Sequence, residues 1–88
     1  MNKYLFTLYI AGQTARSEIA VSNLRKICEE YLSNQYEIVV IDVLEQPAQA
    51  EKERILATPT LVKYYPPPVR RIIGDLTDRQ KVIQALGL

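Results

Sequence analysis

The order of hydrophobic patterns predicts a mixed α/β fold with the element order βαβαββα. The first half alternates an apolar run, a long amphipathic stretch and a second apolar run, which is typical of a parallel βαβ unit. The second half holds two strand-like runs, residues 61–65 and 69–73, separated by three consecutive prolines, Pro66, Pro67 and Pro68. A helical pattern closes the chain.

The first three elements follow from the spacing of their apolar residues. Residues 4–10 are apolar on both faces, which predicts a central strand. Residues 15–32 carry apolar side chains at helical spacing, so we expect a long helix with one buried stripe, capped by Thr14 or Ser17. Residues 36–43 predict a second strand, and its continuous apolar centre indicates that both of its faces are covered.

Two further helices are predicted. Residues 46–56 have a helical pattern that tolerates Pro47 in its first turn. At the start of the last helix, Thr77 and Gln80 have the spacing of a capping box, with Thr77 as the cap. Gly87 is placed to end that helix.

The dipeptide Thr58-Pro59 stands immediately before the third predicted strand. An X-Pro bond adopts the cis form at modest cost, and a cis proline usually serves a tight turn. A parallel βαβ unit joined to an antiparallel ββα unit, with Thr-Pro before the third strand, is the thioredoxin-like layout, in which this proline is cis. The alternative is a trans proline that ends the preceding helix.

Composition narrows the possible functions. The 88 residues predict a single domain, 1–88, and the net charge of +1 provides no general attraction to nucleic acid. The absence of His removes the commonest general base and metal ligand. A single cysteine cannot form an internal disulfide, and the apolar N-terminal run is too short to span a membrane. We therefore expect a cytoplasmic protein with neither nucleic acid nor membrane as a partner.

The chemistry of a redox enzyme is missing from the expected place. A thioredoxin-like oxidoreductase needs a thiolate of low pKa at the start of its first helix, where residues 12–15 hold no cysteine. Cys28 falls on the apolar stripe and is expected in the core. Since no carboxylate pair, phosphate-binding loop or metal cluster stands out, we expect a protein without catalytic residues, cofactor or metal.

Lys63, Arg70 and Arg71 form a small basic cluster in the sequence of the two late strands. Such a cluster is explained either by a solvated face or by contact with an acidic partner or a phosphate group.

Four motifs span almost the whole chain: L-Y-I-A-G at 8–12, I-D-V-L at 41–44, I-L-A-T-P-T-L at 55–61 and P-P-P-V-R-R-I-I-G-D-L at 66–76. Together they resemble the KaiB family, small circadian-clock proteins of cyanobacteria with relatives in other bacteria. The resemblance implies a non-enzymatic regulator that binds the N-terminal ring of the hexameric ATPase KaiC and modulates its phosphorylation cycle. In cyanobacteria, KaiA and the kinase SasA are further partners.

The resemblance also implies a fold switch. Members of the family exist as a homo-oligomer, a tetramer or dimer, in a βαββααβ ground-state fold and as a thioredoxin-like monomer that binds KaiC. The second half, from about residue 47, is rebuilt between the two folds. The expected switch segment contains Pro59, the prolines of residues 66–68, Ala85 and Gly87. Ala85 stands where cyanobacterial relatives tend to carry Gly, which favours the helix of the thioredoxin-like form.

Candidate contacts with KaiC are Glu37, Val39 and Arg54, which are expected to flank a surface made by the first helix and the second strand. Two other interpretations stay open. One is a KaiB-like N-terminal sensor domain of a SasA-type histidine kinase, against which a start at Met1 without a linker argues. The other is a thioredoxin-like redox protein, which the missing cysteine disfavours.

Overall fold

A computed structural model of the chain describes residues 3–88. Within these residues the elements follow the predicted order βαβαββα. Their bounds are β1 Tyr4–Ile10, α1 Ala15–Leu32, β2 Tyr36–Asp42, α2 Pro47–Lys52, β3 Thr60–Tyr65, β4 Arg70–Ile73 and α3 Arg79–Leu86.

The four strands form one sheet in the order β2-β1-β3-β4. β1 pairs in parallel with β2 and antiparallel with β3, and β3 pairs antiparallel with β4. The prediction of a central first strand is therefore confirmed. The prediction that the second strand is covered on both faces is wrong, because β2 lies at the edge and leaves Val39 45% and Val40 39% exposed.

Alternation along the strands gives the sheet two distinct faces. The α1 face carries Phe6, Leu8 and Leu61, which are at most 1% exposed and belong to the same core as α1 and α3. From these two helices, the buried cluster includes Ala20, Leu24, Ile27, Cys28, Leu32, Val82 and Leu86. The opposite face, which we call the α2 face, carries Tyr9, Thr60, Val62 and Tyr64 on the side of the shorter helix α2.

Cys28 lies in this core, as predicted, with no exposed surface. Burial, together with the neighbouring carboxylate of Glu29, raises the pKa of the Cys28 thiol to about 12. The thiol therefore stays protonated at neutral pH and is not a nucleophile there.

The first helix begins as predicted, with Thr14 as its cap. The Thr14 hydroxyl oxygen accepts a hydrogen bond from the Ser17 backbone N–H at 3.1 Å and donates one to the Ser17 hydroxyl at 3.0 Å. Ser17, the alternative cap, is instead a buried residue of the first turn.

The second helix is shorter than predicted. It ends at Lys52 rather than continuing to residue 56, and Arg54 adopts a left-handed backbone conformation with φ of 55°. Arg71 of β4 donates hydrogen bonds to the carbonyl oxygens of Glu53 and Arg54, at 2.7 and 3.3 Å. These bonds satisfy carbonyl groups that a continued helix would otherwise use.

The predicted capping box of the last helix is also wrong. α3 is capped by Asp78, whose carboxylate accepts the Lys81 N–H at 3.2 Å. Thr77 instead donates its N–H and hydroxyl to Asp75, at 3.1 and 2.6 Å. At the other end, Gly87 with φ of 74° terminates the helix as predicted.

The Thr58–Pro59 peptide bond is cis, as the thioredoxin-like layout predicts. The Tyr65–Pro66 and Pro67–Pro68 bonds are cis as well. The Pro59 carbonyl oxygen accepts the Gly74 N–H at 2.8 Å, which joins the start of β3 to the end of β4. Among residues 3–88, no helix combines the length and apolar character that a membrane span requires.

The two possible caps of α3 can be separated by mutation. We expect Asp78→Ala to lower the free energy of unfolding by about 1 kcal/mol, because the Lys81 N–H loses its acceptor. Gln80→Ala, the matched control, should change it by less than about 0.5 kcal/mol. Urea unfolding followed by circular dichroism measures both. Equal losses of unfolding free energy in the two variants would support the capping box of Thr77 and Gln80 instead.

Candidate functional site

The position of the thioredoxin nucleophile is occupied by a helix cap and a loop. The Gly12 N–H donates to the Asp42 carboxylate at 3.1 Å, and the same oxygen accepts the Leu44 N–H at 2.9 Å. Thr14 follows as the cap of α1. With Cys28 buried in the middle of α1, this loop has no group for disulfide exchange. Within residues 3–88, no cluster of three or more acidic or cysteine side chains could hold a metal ion.

The predicted partner contacts Glu37 and Val39 lie on the edge strand β2 and point to the α2 face. They pair with Leu5 and Thr7 of β1, which alternate with the core residue Phe6. α1 covers the opposite face of the sheet, and the contact of these two residues with KaiC stays a prediction.

Arg54, the third predicted contact, lies beyond the end of α2 and is exposed. It thus shares the α2 face of the molecule with Glu37 and Val39, although it follows a different element. The Arg54 carbonyl oxygen accepts a hydrogen bond from the guanidinium of Arg71 on β4.

Arg71 is therefore not part of the basic cluster that the sequence predicts. It pairs with Val62 on the α2 face, whereas Lys63 and Arg70 pair with each other on the α1 face. The structure brings two of the three cations together and assigns the third to the end of α2.

A chain of hydrogen bonds fastens the end of α2 to the sheet. The Tyr64 hydroxyl donates to the Glu53 carboxylate at 2.5 Å and lies 2.9 Å from the Tyr9 hydroxyl. Burial and the bond to Glu53 raise the pKa of Tyr64 above its usual range, so the phenol remains a donor at neutral pH. Sequence reasoning missed this network, because its members are up to 55 positions apart.

Sequence reasoning also missed three exposed apolar side chains at one end of the sheet. Leu56 is 95% exposed before β3, Leu44 is 70% exposed after β2, and Ile73 is 69% exposed at the end of β4. The strand pairing brings these three chain segments to the same end. A groove of about 480 Å³ beside α2 is lined by Val43, Pro47, Ala50, Glu51, Arg54, Ile55 and Leu56.

This end of the molecule is suited to protein binding. Exposed apolar side chains next to a charged rim are typical of interaction surfaces. Leu44 and Leu56 lie in connecting segments of the structure. The apolar character of Leu44 between two predicted elements was an available signal, whereas the predicted helix over residues 46–56 concealed Leu56.

The chain matches known clock proteins over most of its length. A protein-family model described as the KaiB domain matches residues 7–88. The circadian clock protein KaiB3 of Synechocystis sp. is 49% identical over 88 residues, which is all of this chain and 86% of that protein. A circadian clock oscillator protein KaiB of Prochlorococcus marinus is 55% identical over 85 residues, covering 97% of this chain and 81% of that protein.

Solved structures give the same fold. The N-terminal domain of Synechococcus elongatus SasA matches with a TM-score of 0.80 and 27% identity, covering 99% of this chain and 86% of that one. Mitochondrial thioredoxin 3 of Saccharomyces cerevisiae matches with a TM-score of 0.76 at 22% identity, covering 100% of this chain and 81% of that one. The thioredoxin-like fold that the sequence predicts is confirmed.

The hydrogen bonds of Tyr64 to Glu53 and Tyr9 hold the end of α2 against the sheet, and their contribution to stability can be measured. We expect Tyr64→Phe to lower the free energy of unfolding by roughly 1–2 kcal/mol, because Glu53 and Tyr9 lose a partner. Hydrogen exchange of the amides at residues 53–57 should become faster. The control is Tyr4→Phe, which keeps the ring that stacks on Phe6 and should change neither quantity. Unchanged exchange in Tyr64→Phe would show that the network does not hold this segment.

Proposed function

The chain belongs to the KaiB family, and from this premise we propose that it is a non-enzymatic timing regulator that binds the N-terminal ring of a KaiC-type ATPase. Binding modulates the phosphorylation cycle of that ATPase, with one copy of the chain per KaiC subunit. The observation that carries the proposal is the KaiB domain match over residues 7–88. A thioredoxin-like scaffold without a thiol at the start of α1 agrees with a binding role.

We place the binding surface at the end of the molecule that exposes Leu44 and Leu56. Leu56 supplies an apolar side chain that loses nearly all of its contact with water on docking. Arg54 adds a charge close to it, and Arg71 holds the backbone at Arg54. Val39 extends this surface along β2 on the same face of the sheet.

We further propose that the chain exchanges this fold for a βαββααβ ground state that assembles as a tetramer. The first βαβ unit is common to both folds, and the part from about residue 47 is rebuilt. Pro59, the triproline segment at residues 66–68, Ala85 and Gly87 all lie in that part. Two packings of one sequence need differ by only a few kcal/mol for such a switch.

A second candidate function is favoured by the likeness to the N-terminal domain of SasA, with its TM-score of 0.80. In this case the chain is the KaiB-like sensor part of a histidine kinase and competes for the same ring. Immunoblotting of cell extracts with an antibody to this chain separates the two. A band near 10.1 kDa, the mass of the chain, supports the regulator, whereas a much larger band supports the kinase.

The binding surface can be tested by charge reversal. We expect Arg54→Glu combined with Glu37→Lys to weaken binding to ATP-loaded KaiC by about tenfold or more. Arg54 lies beside Leu56 in the groove next to α2, and Glu37 lies two residues from Val39 on the same face of β2. Leu56→Ser should have an effect of similar size through lost apolar burial. Size-exclusion chromatography with light scattering detects the complex, and a binding titration measures the affinity. Glu18→Lys, an exposed charge on α1, is the control, and unchanged affinity in the first two variants would refute the surface.

The fold preference can be tested at Ala85. Ala85→Gly should move the equilibrium away from the thioredoxin-like form by about 1 kcal/mol, because Gly disfavours α3. NMR secondary shifts over residues 77–86 report helix or strand directly, and dilution should raise the helical population because it removes the burial of a tetramer. Ser22→Gly is the matched control, since α1 belongs to both folds. A strand at residues 77–86 in the dilute parent chain would contradict the proposed preference.

A further inference from the structure

Lys63 is a largely buried residue that lies beside a second basic residue. It lies on β3 with 5% of its surface exposed and points to the α1 face of the sheet. Its partner in register on β4 is Arg70. The Cβ atoms of directly paired residues stand about 5 Å apart on one face, so the two basic side chains leave the sheet from neighbouring positions.

No carboxylate of residues 3–88 forms an ion pair with either cation. The ion pair found among these residues joins Arg79 to Glu30. The Lys63 ammonium lies 5.9 Å from the centroid of the Tyr4 ring, a cation–π contact that takes up none of its N–H donors. Like charges directly opposite one another on a sheet are destabilising, so an anion that neutralises them would stabilise the pair.

Within the described part of the chain, Arg71 has hydrogen-bond acceptors of a kind that Lys63 lacks. Arg71, the next residue of β4, uses its guanidinium on the carbonyl oxygens of Glu53 and Arg54. Lys63 has no such acceptor among residues 3–88, although its alkyl stem is packed. The ammonium of Lys63 and the exposed guanidinium of Arg70 together offer several N–H donors to one incoming acceptor group.

We propose that Lys63 and Arg70 form a binding site for a single oxyanion, a phosphate or carboxylate group that bridges the two cations. The guanidinium of Arg70 offers a planar fork for two oxygens, and the Lys63 ammonium adds a point charge. Because Arg70 is exposed and Lys63 is not, the oxyanion enters from the Arg70 side. The site lies on the α1 face and is independent of the surface proposed for KaiC.

Inorganic phosphate is the first probe. In NMR titrations against sodium chloride of equal ionic strength, the backbone amides of Lys63 and Arg70 should shift saturably. Phosphate at about ten times its dissociation constant should also raise the unfolding midpoint by roughly 8 °C relative to chloride. Lys63→Met, which keeps the alkyl stem and removes the charge, should weaken phosphate binding at least tenfold. Lys81→Met, an exposed cation of α3, should bind phosphate like the parent chain.

A second arm identifies the source of the oxyanion. A penta-glutamate peptide is compared with penta-glutamine on the same amides. Saturable shifts with the acidic peptide assign the site to an acidic segment of a protein, and shifts with phosphate alone assign it to a phosphate group. Either result supports the site.

Two results would overturn the site. One is the absence of a saturable shift with both probes. The other is a set of saturable shifts that persists in Lys63→Met. If Lys63→Met does not fold, Arg70→Met at the exposed position provides the same test through the Lys63 amide.

Discussion

The structure depends on the burial of β1 from every side. β2 and β3 pair with its two edges, α1 and α3 cover one face, and residues 6–10 are at most 9% exposed. A strand in this position must be apolar nearly throughout, and its hydrogen bonds fix the direction of the strands beside it. The α1 crossover then has one side on which it can pack, because a right-handed βαβ connection places it there.

The two faces of the sheet consequently have different roles. The α1 face holds the packed core, whereas the six-residue helix α2 covers only part of the other face. Polar contacts from Tyr64 and Arg71 hold that helix by its end, which leaves the outer strand β2 and the loops near Leu56 uncovered. A scaffold that supports thiol chemistry in other proteins here presents a surface suited to a protein partner.

The proposed rebuilding of the second half fits this division of contacts. The first βαβ unit contributes most of the core through α1 and β1 and can keep that packing unchanged. The second half adds β3 to the free edge of β1 and α3 to the core through Val82 and Leu86. It also contributes Leu61 and Leu76 to the core and the β3–β4 pairing to the sheet, and it is held further by individual hydrogen bonds such as those to Glu53.

The sequence by itself determined the order of the elements and the end of α3 at Gly87. It limited the cap of α1 to Thr14 or Ser17 and favoured a cis bond at Pro59 over a trans one, and the structure has Thr14 and the cis bond. These features depend on local periodicity, backbone preference and neighbouring residues, all of which are present in the linear chain. Only the tertiary structure decided that β2 lies at an edge, because strand order depends on which strand captures the second edge of β1. It also ended α2 early, since the side chain that binds the helix end comes from Arg71, 18 positions after Glu53. The sequence could not show that the residues of the candidate site share one face, because the contacts of that site join residues that are distant in the chain.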